Sequence, residues 1–164
     1  MKKLLGILVL GLLFFVQIPF IANAAKSSSI MDGSYQLTWG KGTFVMPSPL
    51  EVNTLMKKVP KGKLTTINEI RKKLAKKYKT TTACPIVTGI FSWIAAGAAK
   101  EDAQDGKKNI TPYWRTLKSD GKINLQYPGG IPFQKKKLIN ENHKIALKGK
   151  NYFVENFENK LVKL

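Results

Sequence analysis

The sequence predicts a mainly α fold, a winged helix-turn-helix-like domain entered through a short irregular or β N-terminal arm. Three observations carry that prediction. Helix-start signals recur at Ser48-Pro49, Thr66 and Pro85, each followed by apolar residues at helical spacing. Two of these helices are joined only by Lys79-Thr80-Thr81-Thr82, the layout of a helix-turn-helix with the later helix as its recognition element. Beyond the third helix the chain turns to short apolar segments punctuated by Ser119-Asp120-Gly121 and Gly129-Gly130, which suits a small wing.

Ahead of the domain, Lys2-Lys3 precedes a nearly unbroken apolar run from Leu4 to Ile21 and then Ala22-Asn23-Ala24, the layout of a cleavable signal peptide cut after Ala24. The expectation is therefore export, to a periplasm or out of the cell. The run is also about as long as a short bilayer span, so an uncleaved N-terminal membrane anchor is the alternative. Residues 25–47 form the arm: a Ser-rich lead-in from Lys26 to Gly33, then β-leaning residues Tyr35, Leu37, Trp39, Phe44 and Val45 interrupted by Gly40 and Gly42, a hairpin or an irregular stretch.

The domain itself is read as residues 48–145. Its first helix runs from about Pro49 to Lys58, with Leu50, Leu55 and Val59 toward a core. Thr66 caps the second, with Glu69 three residues on in capping-box position; Ile67, Ile70, Leu74 and Ala75 share one face and Arg71, Lys72, Lys73, Lys76 and Lys77 the other. The third helix starts at Pro85 and is apolar on nearly every side through Ile86, Val87, Ile90, Phe91, Trp93, Ile94, Ala95, Ala98 and Ala99, which predicts burial against several partners, before a polar exit from Lys100 to Lys108. A fourth helix spans about Pro132 to Asn142 and carries Lys135, Lys136 and Lys137. The tail, 146–164, alternates basic residues with Tyr152, Phe153, Val154, Phe157, Leu161 and Val162 and is expected to pack on the domain.

Lys plus Arg total 28 against 10 Asp plus Glu in 164 residues, a net charge of +18, which points to a polyanionic partner: nucleic acid, anionic lipid or acidic glycan. At 43% hydrophobic the chain can bury a core and is no disordered polybasic tail. The lone cysteine, Cys84, forms no internal disulfide and reads as a small buried hydrophobe before Pro85. No zinc-type His/Cys cluster, no phosphate loop ending in Lys-Ser or Lys-Thr, and no Ser-His-Asp set is available with His143 as the single histidine; Glu101-Asp102 looks solvated. Neither a metal nor a small-molecule cofactor is expected.

Val59-Pro60-Lys61-Gly62-Lys63 leading to Thr65-Thr66, then Thr111-Pro112-Tyr113-Trp114-Arg115, Ser119-Asp120-Gly121, Tyr127-Pro128-Gly129-Gly130 and Glu141 form a spaced set. Over roughly Ser48 to His143 this set resembles the DNA-binding domain of the O6-alkylguanine-DNA alkyltransferases and their catalytically silent alkyltransferase-like relatives. The resemblance implies a domain of that type contacting duplex DNA through the helix-turn-helix and wing, with a link to DNA repair. It implies DNA contacts at Thr65, Thr66 and Arg115, to which net charge and the helix-turn-helix pattern add Asn68, Arg71, Lys72, Lys76 and Lys77 on the second helix, and a base pocket lined by Pro112, Tyr113, Trp114, Tyr127, Gly129 and Gly130. The family's nucleophile motif is Pro-Cys-His-Arg, assisted by an acid near Glu141; here Tyr113 stands at the cysteine and Trp114 at the histidine. A phenol of ordinary pKa near 10 is protonated at neutral pH, so alkyl transfer is not expected. The family's intercalating arginine is also missing, since Cys84 falls near its position. Bland readings stand beside these: Tyr113 and Trp114 as wing packing, the lysine face of the second helix as solvated surface. The alternative function is an exported basic protein that keeps the fold and binds another polyanion, of the cell envelope or a glycan.

Overall fold

The computed structural model describes residues 35–39 and 42–164. The expected signal segment, the Ser-rich lead-in and the turn at 40–41 lie outside the described residues. Four helices and seven short strands share those residues, so the expectation of a mainly α fold is corrected to helices braced by three small sheets.

Helix α1 (Pro49–Lys57) starts with a complete capping box: the Ser48 hydroxyl accepts from the Glu51 N–H and the Glu51 carboxylate accepts from the Ser48 N–H. It buries Val52, Leu55 and Met56, with Val59 just beyond. Leu50, expected in the core, points outward at 72% exposure, because the buried stripe runs through positions 52, 55, 56 and 59. Helix α2 (Ile67–Tyr78) is capped by the Thr66 side chain, which accepts from the Glu69 N–H, and closes on Lys79 in the left-handed region at φ 54. Ile70, Leu74 and Ala75 face the core.

Helix α3 (Pro85–Gln104) runs a turn past Ala99 through the stretch expected to be an exit, since nothing before Gly106 breaks a helix. Its inner face is made of small groups, Thr88, Ser92, Ala95, Ala96 and Ala99, which allows close packing with α1. Burial on nearly every side does not occur: Ile86, Ile90 and Trp93 are exposed. Helix α4 (Gly130–Ile139) begins two residues before Pro132, because Gly129 at φ 79 turns the chain directly into it.

The arm is a hairpin of β1 (Tyr35–Trp39) and β2 (Gly42–Met46), and β2 pairs in parallel with β4 (Thr82–Ala83), a strand formed inside the α2–α3 connection. Since β2 leads into α1 and β4 into α3, both helices start from the same end of this sheet. Strand β3 (Thr65–Thr66) pairs in parallel with β5 (Thr116–Leu117), and β6 (Ile145–Lys148) with β7 (Asn151–Val154) as a second hairpin. Arm and tail are both built into the core: Val45 and Val154 are buried, and Leu64 bridges to Leu161. At the centre lie Met56, Leu64, Ile70, Leu74, Leu117, Ile123 and Leu138, with Tyr113, Trp114 and Tyr127 on one flank.

Ser48→Ala removes an N-cap in a half-buried setting and is expected to cost about 1 kcal/mol in urea unfolding, with no change of the urea dependence.

Candidate functional site

Two regions contain the residues singled out in the sequence. The first surrounds Glu141, at the end of α4. Its carboxylate accepts from the Trp114 indole N–H at 2.8 Å, from Arg115 Nε at 2.9 Å and Nη2 at 2.8 Å, and from the Gly62 N–H at 3.1 Å. Arg115 Nη1 donates to the Val59 carbonyl at 2.7 Å. The 3-10 turn Tyr113–Arg115 thus ties the Val59–Gly62 loop to the end of α4. Burial alone would raise the Glu141 pKa, but hydrogen bonds from Arg115, Trp114 and Gly62 and the Arg115 charge outweigh it and hold the carboxyl below its usual range. Arg115, expected on a DNA-facing surface, is directed inward, its guanidinium occupied by a carboxylate 26 residues away.

Tyr113 is buried in this region, its hydroxyl donating to the Pro128 carbonyl at 3.2 Å, and burial pushes its phenol above the ordinary value. Phe133 stacks on it at 5.9 Å, while Trp114 and Tyr127 meet it edge-on at 5.6 and 5.8 Å. Burial pushes the Tyr127 phenol up to about 12, with Ser92 and Asn124 offsetting only part of the effect. Lys137 covers the Trp114 ring with its ammonium 5.0 Å from the centroid. Neither phenol yields a phenolate nucleophile at neutral pH.

Of the six expected pocket residues, Tyr113 and Gly129 line a shallow apolar hollow of about 210 Å³ beside α3, together with Ile110, Pro128 and Phe133, which sequence reasoning missed. Pro112, Trp114 and Tyr127 lie buried, and Gly130 opens α4. A side chain at Gly129 would meet Phe133 at 2.6 Å, so the Gly129 turn and the ring over Tyr113 fit only as a pair.

The second region is the outer face of α2. Asn68, Arg71 and Lys72 join Thr81 and Thr82 from the α2–α3 connection around a hollow of about 250 Å³. Arg71 donates from Nε to the Ala83 carbonyl at 2.8 Å, from Nη1 to Asn68 Oδ1 at 3.0 Å and from Nη2 to Thr82 Oγ1 at 3.0 Å. Three of its five N–H groups are thereby used, which fixes the fork and leaves two donors. Lys72 is exposed and pairs with Glu69 at 2.7 Å, a surface contact worth little. Lys76 is exposed one turn on, and Lys77 reaches Glu51 at 2.6 Å. Thr65 and Thr66 are buried instead, one pairing with Thr116 and the other capping α2. Sequence reasoning missed Thr81 and Thr82, which lie just before and within β4, a strand whose two residues carry no periodic signal.

Cys84, expected to be buried, is half-buried at the start of α3. Among the described residues no group of three or more His, Cys, Asp or Glu side chains is placed to hold a metal ion, and no helix is long and apolar enough to cross a membrane.

In comparisons with known proteins, no family model and no curated protein matches the chain. Among solved structures it is similar to S. pombe Atl1 in complex with damaged DNA containing O6-carboxymethylguanine, at 20% identity over 71% of this chain and 94% of that one, with a TM-score of 0.49. It is also similar to S. pombe ATL in complex with DNA, at 19% identity over the same shares, with a TM-score of 0.45.

Glu141→Ala leaves the Arg115 charge buried without its partner and is expected to cost about 3 to 5 kcal/mol in chemical denaturation. The pH dependence has a definite sign. Burial holds His143 below its ordinary 6.5, with Glu141 opposing the shift, so the unfolded chain binds the proton first and stability falls as pH drops below about 6.5. The Glu141 contribution is present above the unfolded carboxyl pKa and is lost at lower pH, as the carboxyl titrates through its depressed folded value. In urea titrations between pH 7.5 and 5.5, His143→Gln should flatten the decline while leaving the loss at lower pH in place.

Proposed function

We propose that the chain is a catalytically silent, alkyltransferase-like nucleic-acid-binding protein that holds duplex DNA by its phosphates on the outer face of α2. The observation that carries this reading is the hollow at the α2–α3 connection, where Arg71 keeps two free donors beside Lys72, Asn68, Thr81 and Thr82. Lys76 and Lys77 extend the basic face, within a net charge of +18. Arg115, Thr65 and Thr66 are left out of the contact set because of their interior roles. The winged helix-turn-helix is retained as the frame of the reading, α2 and α3 forming the pair, with α3 relieved of groove reading because it carries no basic residue before Lys100. The absence of alkyl transfer rests on Tyr113: a buried, protonated phenol with Trp114, which has no basic nitrogen, where the family's histidine would stand.

Affinity for duplex DNA is expected to fall steeply with salt, log K dropping by about 0.9 per phosphate neutralised for each decade of salt, with little dependence on sequence. Lys72→Glu with Lys76→Glu, both exposed, should weaken binding and flatten that slope. Incubation with duplex DNA containing O6-methylguanine should leave the lesion in place and the protein mass unchanged; methyl transfer to Cys84 would sink the non-catalytic assignment. The second reading, an exported binder of an envelope polyanion or glycan, is favoured by Lys2-Lys3, the apolar run and Ala22-Asn23-Ala24. Heparin matching DNA in affinity at equal salt, with the double variant weakening both alike, would transfer the assignment to it.

A further inference from the structure

The longest helix among the described residues, α3, leaves an apolar stripe in water. Ile86, Ile90 and Trp93 are 71%, 42% and 52% exposed, and their spacing aligns them on one side of α3. The line continues through Gly97 to exposed Lys100, the first charged residue on the helix. A face with no charge over four turns has nothing to offer phosphates, so the polyanion surface on α2 does not account for it.

We propose that this face is a lipid-docking surface: Ile86, Ile90 and Trp93 enter the interfacial layer of an anionic bilayer, with the ammonium of Lys100 kept at the headgroups. A half-exposed Trp beside branched aliphatic side chains, bounded by Lys, suits the boundary between acyl chains and headgroups. Two observations select a bilayer over the other occupants of an apolar face. A second copy of the chain would bring two net charges of +18 together, whereas an anionic membrane complements that charge. The topology also brings the N-terminal segment to this end of the domain. Tyr35 pairs with Met46, so residues 1–34 join the fold at the end of the sheet from which α1 and α3 start. That segment contains the Leu4–Ile21 run, which in either sequence reading passes through a bilayer, cleaved or retained. With the run retained as an anchor, the domain meets the membrane with this end nearest.

The test uses the full chain reconstituted with vesicles of phosphatidylglycerol and phosphatidylcholine. The Trp93 emission is isolated as the difference between the chain and its Trp93→Phe variant. Acyl-brominated lipids should quench that emission about twofold or more while the bilayer shields it from acrylamide. Ile90→Asp, at an exposed position, should abolish both effects without altering the circular dichroism spectrum or duplex binding, and neutral vesicles should dock the face more weakly. Trp93 emission equally open to acrylamide in the chain and in Ile90→Asp, with no bromine quenching, would mean that the domain floats free of the bilayer and would overturn the proposal. Shielding of Trp93 without lipid, with a doubled mass by light scattering, would give the face to a second copy instead and would overturn it equally.

Discussion

One carboxylate organises the half of the molecule that the sequence marks most heavily. Glu141 accepts donors from Trp114, Arg115 and Gly62, and through Arg115 it also holds the Val59 carbonyl. These groups come from three parts of the chain that share no helix, and the carboxylate is the point at which they meet. An ion pair this deep gains its worth from completeness: with every lone-pair direction used, the desolvation cost is met, and with one partner missing it is not. The stacked Tyr113–Phe133 pair and the turn at Gly129 lie directly against this network, so the aromatic flank of the core depends on the same charge.

Tyr113 and Trp114 give this region the character of a packed aromatic cluster tied to a carboxylate. An indole N–H can donate to Glu141 as an imidazole can, yet it has no lone pair with which to take a proton from its neighbour. The geometry of this region is that of packing. The sole phenol hydroxyl at the surface of the apolar hollow is turned to the Pro128 carbonyl and is not presented to a ligand.

How much of this was legible in the sequence follows from the range of each signal. The starts of α1, α2 and α3 were readable because caps and proline act within four residues. The two-residue strands β3, β4 and β5 were not, since no periodicity exists in two residues and their partners lie 38 or more positions away. Helix α3 misled for a different reason: a segment apolar all round does not say which side lacks a neighbour, and only the packing with α1 and α2 shows that Ile86, Ile90 and Trp93 are left over. Arg115 was expected on a DNA-facing surface because the resemblance implies a contact there, and its pairing with Glu141 directs it inward. In the region around Tyr113 the motif spacing singled out residues that the fold brings together, while their orientations depended on contacts that spacing cannot supply.

The pairing of Leu64 with Leu161 has a bearing on when the molecule can finish folding. Leu64 donates to the Lys160 carbonyl and accepts from the Val162 N–H, so a buried segment near the middle of the chain gets its backbone partners from residues almost a hundred positions later. Contacts so distant in sequence form slowly, because a large loop must close before they contribute. A chain emerging from the ribosome leaves the Leu64 backbone without these partners until residue 162 is clear. Completion of the fold thus belongs after synthesis, when the segment around Leu161 is free to reach Leu64.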